Sequence, residues 1–260
     1  MKRKVFRVFH VGFVCVLLAG CRVNKSETVV KSSVPAEQPE ITEAVSDTPA
    51  WYMAPFAYNP SRTRVHDLLH TRLYVSFDWE KQHLLGEANL TLKPYFYPQN
   101  TVELDAKGFD IHYVGLMTEK GNKELKYTYD KKKLLITLDK TYTRNETFKL
   151  LIDYTAKPNE LPAGGSQAIT SDKGLYFINP LGEEQDKPKQ IWTQGETEAS
   201  SAWFPTIDAP NERMTQEIYI KIDKKYTTLS NGTLVYSRQN ADGTKTDLWK
   251  HDKPHAPYLT

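Results

Sequence analysis

Residues 69–79 read LHTRLYVSFDW. Apolar side chains recur here at alternate positions, namely Leu69, Leu73, Val75, Phe77 and Trp79. Successive side chains of a β-strand point to opposite faces of its sheet, so this spacing places the apolar set on one face. The stretch therefore predicts a strand that is buried on one side.

Short runs of the same kind continue to the end of the chain, and they are punctuated by turn residues. Residues 86–93 alternate again and stop at Pro94. Further strands are predicted at 101–105, 109–117, 123–129, 133–138, 146–155, 174–178, 190–193, 216–222, 228–236 and 245–250. Asn231-Gly232 and Asp242-Gly243 are turn dipeptides, and the second joins two alternating runs as a hairpin would.

No stretch shows a sustained period of 3.6 residues, apart from one short helical turn predicted near 196–203. About a dozen short strands with regularly spaced turns are typical of two-layer β-proteins. The sequence therefore predicts an all-β fold, a saddle or sandwich of antiparallel sheets.

The first 21 residues have the composition of an export signal. Lys2, Arg3, Lys4 and Arg7 form a basic leader, and the apolar run that follows is far shorter than the ~20 residues of a membrane-spanning helix. The run ends in Leu-Ala-Gly-Cys at 18–21, which resembles a bacterial lipobox. That resemblance implies a lipid on Cys21; an ordinary signal peptide with an incidental cysteine is the alternative.

Cysteine content and charge narrow the possible functions. The other cysteine, Cys15, lies within the predicted leader, so the mature chain would have no thiol for a disulfide, a metal site or a nucleophile. Cleavage would leave 30 basic and 32 acidic residues. This near-neutral balance provides no electrostatic footprint for nucleic acid, and we predict no nucleic-acid partner.

Residues 22–50 contain no aromatic residue and are rich in Ser, Thr, Glu, Pro and Val. Such a stretch cannot bury enough apolar area to offset its chain entropy, and it predicts a flexible tether. Aromatic residues return at Trp51-Tyr52. Residues 51–260 are therefore predicted to form one domain.

His66 and His70 have the spacing of a zinc motif, with Asp67 between them. On a helix the two imidazoles would share a face and could bind zinc. However, His70 lies at the start of the predicted strand, where residues four apart are separated by roughly 13 Å. We interpret both as strand-edge histidines, and no metal ligand is predicted in this chain.

The most particular segment is IWTQGETEASSAWFPTIDAPNER, residues 191–213. Its Thr-Gln-x-Glu element, aromatic-bearing turn and Phe-Pro-x-x-Asp-x-Pro element resemble, in that order, the N-terminal β-domain of the aminopeptidase N family, the membrane alanyl aminopeptidases of the gluzincin class. The order of residues 69–94 and 102–114 agrees with this. The closing KPHAPYLT, residues 253–260, resembles the family's last strand region before its catalytic domain. The resemblance covers about residues 65–260.

The resemblance implies a role for two side chains. In the family, the Thr-Gln-x-Glu loop extends into the active-site cleft of a thermolysin-like domain. By position, Gln194 would line the pocket for the first substrate side chain, and Glu196 would hold the free α-ammonium of a peptide. A fixed carboxylate is a strong acceptor for an ammonium group and would position the first peptide bond. Without the resemblance, the favoured interpretation of Glu196 is a solvated loop carboxylate or a residue at a helix start.

The neighbouring residues are predicted to support this loop. Asp208, Pro210 and Arg213 are expected to set a turn and its ion pairing. The run Trp203-Phe204-Pro205 is expected to pack in the interior. Many relatives have an arginine where this chain has Ser200-Ser201, so a local salt bridge of the family is not expected here.

The resemblance also implies zinc in the full-length protein. The family's Gly-x-Met-Glu-Asn and His-Glu-x-x-His motifs do not occur in these 260 residues. A catalytic zinc needs three protein ligands and an open position. We therefore predict no catalytic residue and no cofactor in this chain, and no activity by itself. Its expected partners are a catalytic domain of the same polypeptide and the N-termini of peptides.

Two functions remain open from the sequence. The first is the front part of a lipid-anchored zinc aminopeptidase that removes N-terminal residues from peptides, truncated before its catalytic domain. The second is a stand-alone β-sandwich lipoprotein that binds a peptide, glycan or protein partner. The 15 tyrosines are compatible with a binding face but fit sheet propensity as well. Either protein is expected in the cell envelope, lipid-anchored and facing the periplasm.

Overall fold

The structure is a computed structural model that describes residues 60–162 and 172–260. The predicted export signal at 1–21, including Cys21, and the predicted tether at 22–50 lie outside the described residues. Within the described ranges, no helix is both long enough and apolar enough to cross a membrane.

Thirteen strands form within the described residues. They are β1 His66–Asp78, β2 His83–Pro94, β3 Gln99–Asp105, β4 Asp110–Thr118, β5 Gly121–Glu124, β6 Tyr127–Tyr129, β7 Lys133–Tyr142, β8 Phe148–Ala156, β9 Leu175–Ile178, β10 Gln190–Thr193, β11 Met214–Asp223, β12 Thr233–Gln239 and β13 Thr244–His255. The same part of the chain contains three short 3-10 helices, at Pro158–Glu160, Ser200–Ala202 and Pro257–Leu259. The predicted all-β class and the helical turn near 196–203 are confirmed.

The strands are arranged in three sheets. The largest has eight strands in the order β12-β13-β11-β1-β2-β8-β4-β5; the others are β3-β7-β6 and β10-β9. Neighbours pair in the antiparallel sense except β1 and β11, which run parallel with Tyr74 opposite Tyr219. Parallel neighbours need a long crossover, and here the connection contains β2 to β10.

The core lies between the eight-stranded and three-stranded sheets, which form the two layers of a sandwich. Leu73, Leu90 and Leu150 of the larger sheet and Leu104 and Ile136 of the smaller one are fully buried in one cluster. Each such side chain contributes roughly 1.5–3 kcal/mol when it leaves water. Leu73 and Val75 of the predicted apolar set lie on the inward face of the larger sheet. Leu69 does not, because a register shift between Leu68 and His70 places Leu68 in the core instead.

Two predicted strands have different limits in the structure. The single strand predicted at 123–129 is wrong: β5 joins the eight-stranded sheet and β6 joins the three-stranded sheet. The chain changes sheets at Leu125, which is buried and donates its backbone N–H to the carbonyl oxygen of Val114 at 2.9 Å. The strand predicted at 228–236 starts only at Thr233, because Gly232 adopts a φ of 88° in the preceding turn. The Asp242-Gly243 hairpin is confirmed between β12 and β13.

Candidate functional site

Gln194 and Glu196 lie immediately after β10, and their polar groups contact each other. The side-chain oxygen of Gln194 accepts a hydrogen bond from the backbone N–H of Glu196 at 2.9 Å. The Gln194 side-chain nitrogen lies 3.4 Å from a carboxylate oxygen of Glu196. The backbone N–H of Gln194 is fixed by the carbonyl oxygen of Gly174 at 2.9 Å. The two side chains are thus held as a pair beside β10.

This pair lines a cleft of about 1260 Å³. The apolar side of the cleft comes from β1 and β11, through Val75, Phe77, Ile218 and Ile220. Its remaining walls come from residues 188–196, 225–232 and 258–260. One wall of the cleft is therefore apolar, and the others carry polar and charged side chains, among them Lys189 and Lys225. Concave sites that join apolar surface to polar groups are the usual form of a small-molecule or peptide site.

The residues near the end of the chain support the loop that carries the pair. A Cβ atom on Gly195 would come within 2.3 Å of the Tyr258 carbonyl oxygen, so the backbones are in direct contact. Ser200 donates its hydroxyl hydrogen to the carbonyl oxygen of Pro257 at 2.9 Å. Asn231 donates its side-chain N–H to the Leu259 carbonyl oxygen. One border of the cleft is therefore built by the last residues of the chain.

The aromatic part of the segment lies in the interior. Trp203 and Phe204 are buried, with ring centroids 4.5 Å apart. The hydroxyl of Tyr154, on β8, donates to the Trp203 carbonyl oxygen at 3.1 Å. Burial raises the pKa of Tyr154, so this hydroxyl remains a donor. The packing role predicted for these aromatic residues is confirmed.

Asp208 and Asp105 tie the same segment to the end of β3. Asp105 accepts from the Asp208 backbone N–H at 2.9 Å, from Arg62 at 2.5 Å and from Lys133 at 2.6 Å. Asp208 in turn accepts from the Ser201 backbone N–H at 2.8 Å. Desolvation raises the pKa of Asp208 to about 6. The pKa of Asp105 is lowered: burial opposes the shift, and the hydrogen bonds from Lys133 and Arg62 outweigh it.

Arg213 has a different role from the predicted ion pairing. Its guanidinium donates to the carbonyl oxygens of Pro210, at 2.5 Å, and Glu212, at 2.7 Å. Glu212, rather than Asp208, forms an ion pair in this turn, with Arg64 at 3.0 Å. The turn-setting role of Arg213 is thus confirmed, through backbone carbonyls rather than a carboxylate.

His66 and His70 both lie on β1, as predicted. Burial lowers the pKa of His66 to about 4, and its ring packs edge-on against Phe148 with centroids 6.2 Å apart. His70 contacts the Thr215 hydroxyl through Nδ1 at 2.8 Å. Across the described ranges, no group of three His, Cys, Asp or Glu side chains could hold a metal ion. The residues described here do not fit the zinc that the family resemblance implies.

Comparison with known proteins gives a family and a set of similar folds. The sequence profile of the Peptidase M1 N-terminal domain matches residues 57–259. The chain belongs to this family. A comparison with curated proteins gave no match.

Solved structures of M1 peptidases share the fold of this M1 N-terminal domain. An M1 zinc metallopeptidase from Deinococcus radiodurans superposes with a TM-score of 0.62 at 17% identity, over 77% of this chain and 42% of that one. Legionella pneumophila aminopeptidase A in complex with aspartic acid superposes with a TM-score of 0.56 at 17% identity, over 76% of this chain and 21% of that one. The chain therefore spans less than half the length of these structures.

The sequence identified Gln194 and Glu196 of this M1 N-terminal domain but not the residues that hold their loop in place. Gly195, Asp105 and Arg62 were not singled out, although Gly195 contacts Tyr258 and Asp105 fixes Asp208. The two residues in each of these contacts lie far apart in the chain, whereas the hydrogen bonds within the loop itself are local. No local pattern marks such a contact. A glycine inside an otherwise polar loop is the single signal that could have indicated a close backbone approach.

Proposed function

We propose that this chain is the substrate-binding front domain of a lipid-anchored zinc aminopeptidase. In this proposal the zinc ligands and the general base come from a thermolysin-like domain of the same polypeptide. Gln194 and Glu196 contribute to the pocket that receives a peptide N-terminus. The observation that carries the proposal is the placement of this pair on the wall of a large cleft in an M1 N-terminal domain.

The chemistry of the pair fits this role. The exposed carboxylate of Glu196 can accept a charge-assisted hydrogen bond from an α-ammonium group, and Gln194 holds that carboxylate in place from one side. Among the similar structures, M1 zinc metallopeptidase variants are bound to L-arginine in one and to a Tyr-Ser-Ala substrate in another. A free amino acid and a tripeptide share the α-ammonium group that Glu196 would hold.

The decisive experiment compares two neighbouring carboxylates in the protein isolated from its native membrane. Glu196→Gln removes the charge from the cleft wall, whereas Glu198→Gln removes an exposed charge that does not line the cleft. A lost charge-assisted hydrogen bond of about 1.5–3 kcal/mol corresponds to a KM for alanine p-nitroanilide raised roughly 10- to 150-fold. Glu198→Gln should leave KM unchanged. Equal values for Glu196→Gln and wild type would refute the role of Glu196.

The size of the native product tests the assignment to a larger enzyme. An immunoblot of the membrane fraction, with an antibody to residues 60–260, should show a band several-fold larger than 29.9 kDa. The 260 residues alone should release no alanine from the same substrate, since His-Glu-x-x-His is not among them. A band near 29.9 kDa would instead favour a stand-alone β-sandwich lipoprotein that binds a partner.

The lipid anchor is tested separately. Cys21→Ser removes the acyl acceptor of the proposed lipobox. Metabolic labelling with a palmitate analogue should mark the wild-type protein and not the variant. Labelling of both would place the lipid elsewhere, and labelling of neither would overturn the anchor.

A further inference from the structure

The turn between β2 and β3 exposes three consecutive aromatic side chains. Residues 94–98 read Pro-Tyr-Phe-Tyr-Pro, and we call them the aromatic turn. Tyr95, Phe96 and Tyr97 are 46%, 58% and 71% exposed. Single exposed apolar residues are common on protein surfaces, but adjacent ones usually mark a contact surface.

The aromatic turn is held in a defined position. Tyr95 donates its backbone N–H to the Val65 carbonyl oxygen at 2.9 Å, and Pro94 pairs with His66 on β1. The Phe96 and Tyr97 rings pack edge-on with centroids 5.0 Å apart. Because the backbone of the turn is already fixed, binding a partner through these rings would lose little further conformational entropy.

Two guanidinium groups lie against the same rings. Arg64 stacks over Tyr95 at 4.4 Å, and the exposed Arg144, from the turn between β7 and β8, lies 5.7 Å from the Phe96 centroid. Tyrosine favours the headgroup level of a bilayer, phenylalanine favours the boundary with the acyl chains, and arginine pairs well with phosphate. This combination has the chemistry of a membrane-interface contact.

The aromatic turn also lies close to the point where the described chain begins. Val65 and Arg64 contact the turn, and Pro60 precedes Arg64 by four residues, at most about 14 Å of extended chain. The preceding segment leads to Cys21, the proposed site of lipid attachment. The chain that would join the domain to a membrane therefore starts beside the aromatic turn.

We propose that the aromatic turn is a second membrane contact of this domain. Phe96 and Tyr97 enter the boundary between headgroups and acyl chains, and the exposed guanidinium of Arg144 lies at the level of the lipid phosphates. Arg64 keeps its ion pairs with acidic side chains and supports the Tyr95 ring. A lipid on Cys21 would hold the chain at the membrane without fixing the orientation of the domain, and a second contact would fix that orientation. The inference rests on the proposed anchor but not on peptidase activity.

This orientation would keep the cleft accessible. The aromatic turn adjoins the His66 end of β1, whereas Phe77 and Trp79 line the cleft at the other end. A strand of 13 residues extends about 40 Å. The cleft would therefore face away from the lipid surface, toward dissolved peptides.

A lipid surface fits this turn better than a second copy of the chain does. The three rings project from a narrow turn closed by Pro94 and Pro98. A stable protein dimer needs about 800 Å² of matching surface on each partner. Fluid headgroups adapt to a projecting tip without a complementary pocket.

The test uses the full chain, reconstituted in vesicles of phosphatidylethanolamine and phosphatidylglycerol. With Cys15 removed with the leader and the Cys21 thiol blocked by the lipid, as the proposed anchor implies, Asn100→Cys places a single label next to the aromatic turn and leaves its rings intact. Leu181→Cys is the control, on a loop between β9 and β10 and 58% exposed like Phe96. Both carry a bimane dye, and the vesicles contain lipid spin-labelled near the headgroup. Flotation of the vesicles reports the anchor, and quenching of the dye reports the turn.

We expect the dye at Asn100 to lose fluorescence in these vesicles and the dye at Leu181 to retain it. Adding Phe96→Ser and Tyr97→Ser to the Asn100→Cys protein should abolish that loss. Absent or equal quenching at the two positions overturns the proposal, whether or not the chain floats. Quenching that survives the serine substitutions also overturns it. Self-quenching that rises with protein concentration in lipid-free detergent would assign the surface to a second copy instead.

Discussion

The Ser200 hydroxyl donates a hydrogen bond to the Pro257 carbonyl oxygen at 2.9 Å. Both residues belong to short 3-10 helices, and Ser200 is fully buried. The bond links the loop of Gln194 and Glu196 to the last residues of the chain. The geometry of the proposed peptide site thus depends on how these residues pack.

Ser200→Ala should lower the free energy of unfolding by about 1 kcal/mol, the usual net contribution of one hydrogen bond. The Pro257 carbonyl oxygen keeps its bond from the Thr260 backbone N–H at 3.0 Å, which limits the loss. Urea denaturation measures the difference. Thr118→Ala is the control, since it removes an exposed hydroxyl bonded to the Gly121 carbonyl oxygen. An equal loss in both variants would contradict a special role for Ser200.

Gly195→Ala should destabilise the fold more strongly than Ser200→Ala. The new methyl group would lie 2.3 Å from the Tyr258 carbonyl oxygen and 2.7 Å from the Ser200 hydroxyl, so a backbone must move. Overpacking of this kind costs roughly 1–3 kcal/mol. Gly182→Ala is the control for backbone strain without a steric contact. That glycine has a φ of 77°, which strains an alanine, but the space around it is open. Thermal unfolding that ranks Gly182→Ala as the worse variant would show that the contact with Tyr258 is loose.

How much of this fold the sequence predicts depends on how far apart in the chain the contacting residues lie. The alternation at 69–79 identified β1 because side-chain direction is a local property. Asp242-Gly243 likewise identified a hairpin, since the turn residues sit between the strands they join. No local sequence pattern indicates the parallel pairing of Tyr74 with Tyr219. It follows from the packing of the whole sheet, after the intervening strands have formed.

The same difference between local and distant contacts applies to the candidate site. The Thr-Gln-x-Glu element is contiguous, so Gln194 and Glu196 could be identified by resemblance. Asp208 belongs to the contiguous Phe-Pro-x-x-Asp-x-Pro element and could be identified in the same way. Its partner Asp105 lies 103 residues away, and no local pattern marks it. Their link depends on the bridge between Asp105 and Thr206, which only the folded chain provides.

Asp105→Asn should cost about 2–4 kcal/mol of unfolding free energy. The carboxylate is mostly buried and receives Arg62 and Lys133, and removing one partner of such a pair leaves the cations without it. Both cations are partly exposed, so water offsets some of the loss. Glu103→Gln is the matched control: Glu103 contacts the same two cations, but its side chain is half exposed. Equal effects in urea denaturation would contradict the importance of burial.

Asp208 and His66 oppose each other in the dependence of stability on pH. The pKa of Asp208 is raised from 3.8 to about 6, so the folded protein binds more protons in that window and stability falls as pH rises. The pKa of His66 is lowered from 6.5 to about 4, so the unfolded chain binds more protons and stability rises with pH. Between about pH 4 and 6 the two contributions partly cancel in the wild-type protein.

Asp208→Asn removes one of these contributions and keeps an oxygen for the Ser201 N–H. The variant should gain stability relative to wild type as pH rises from 4 to 7, by on the order of 2 kcal/mol, because the buried charge is no longer formed. Urea denaturation at pH 4, 5, 6 and 7 measures this difference, from which the His66 contribution cancels. Asp186→Asn, at an exposed loop position, is the control for the loss of one carboxylate from the chain. A flat difference for Asp208→Asn would mean that this carboxyl ionises in the folded protein as readily as in the unfolded chain.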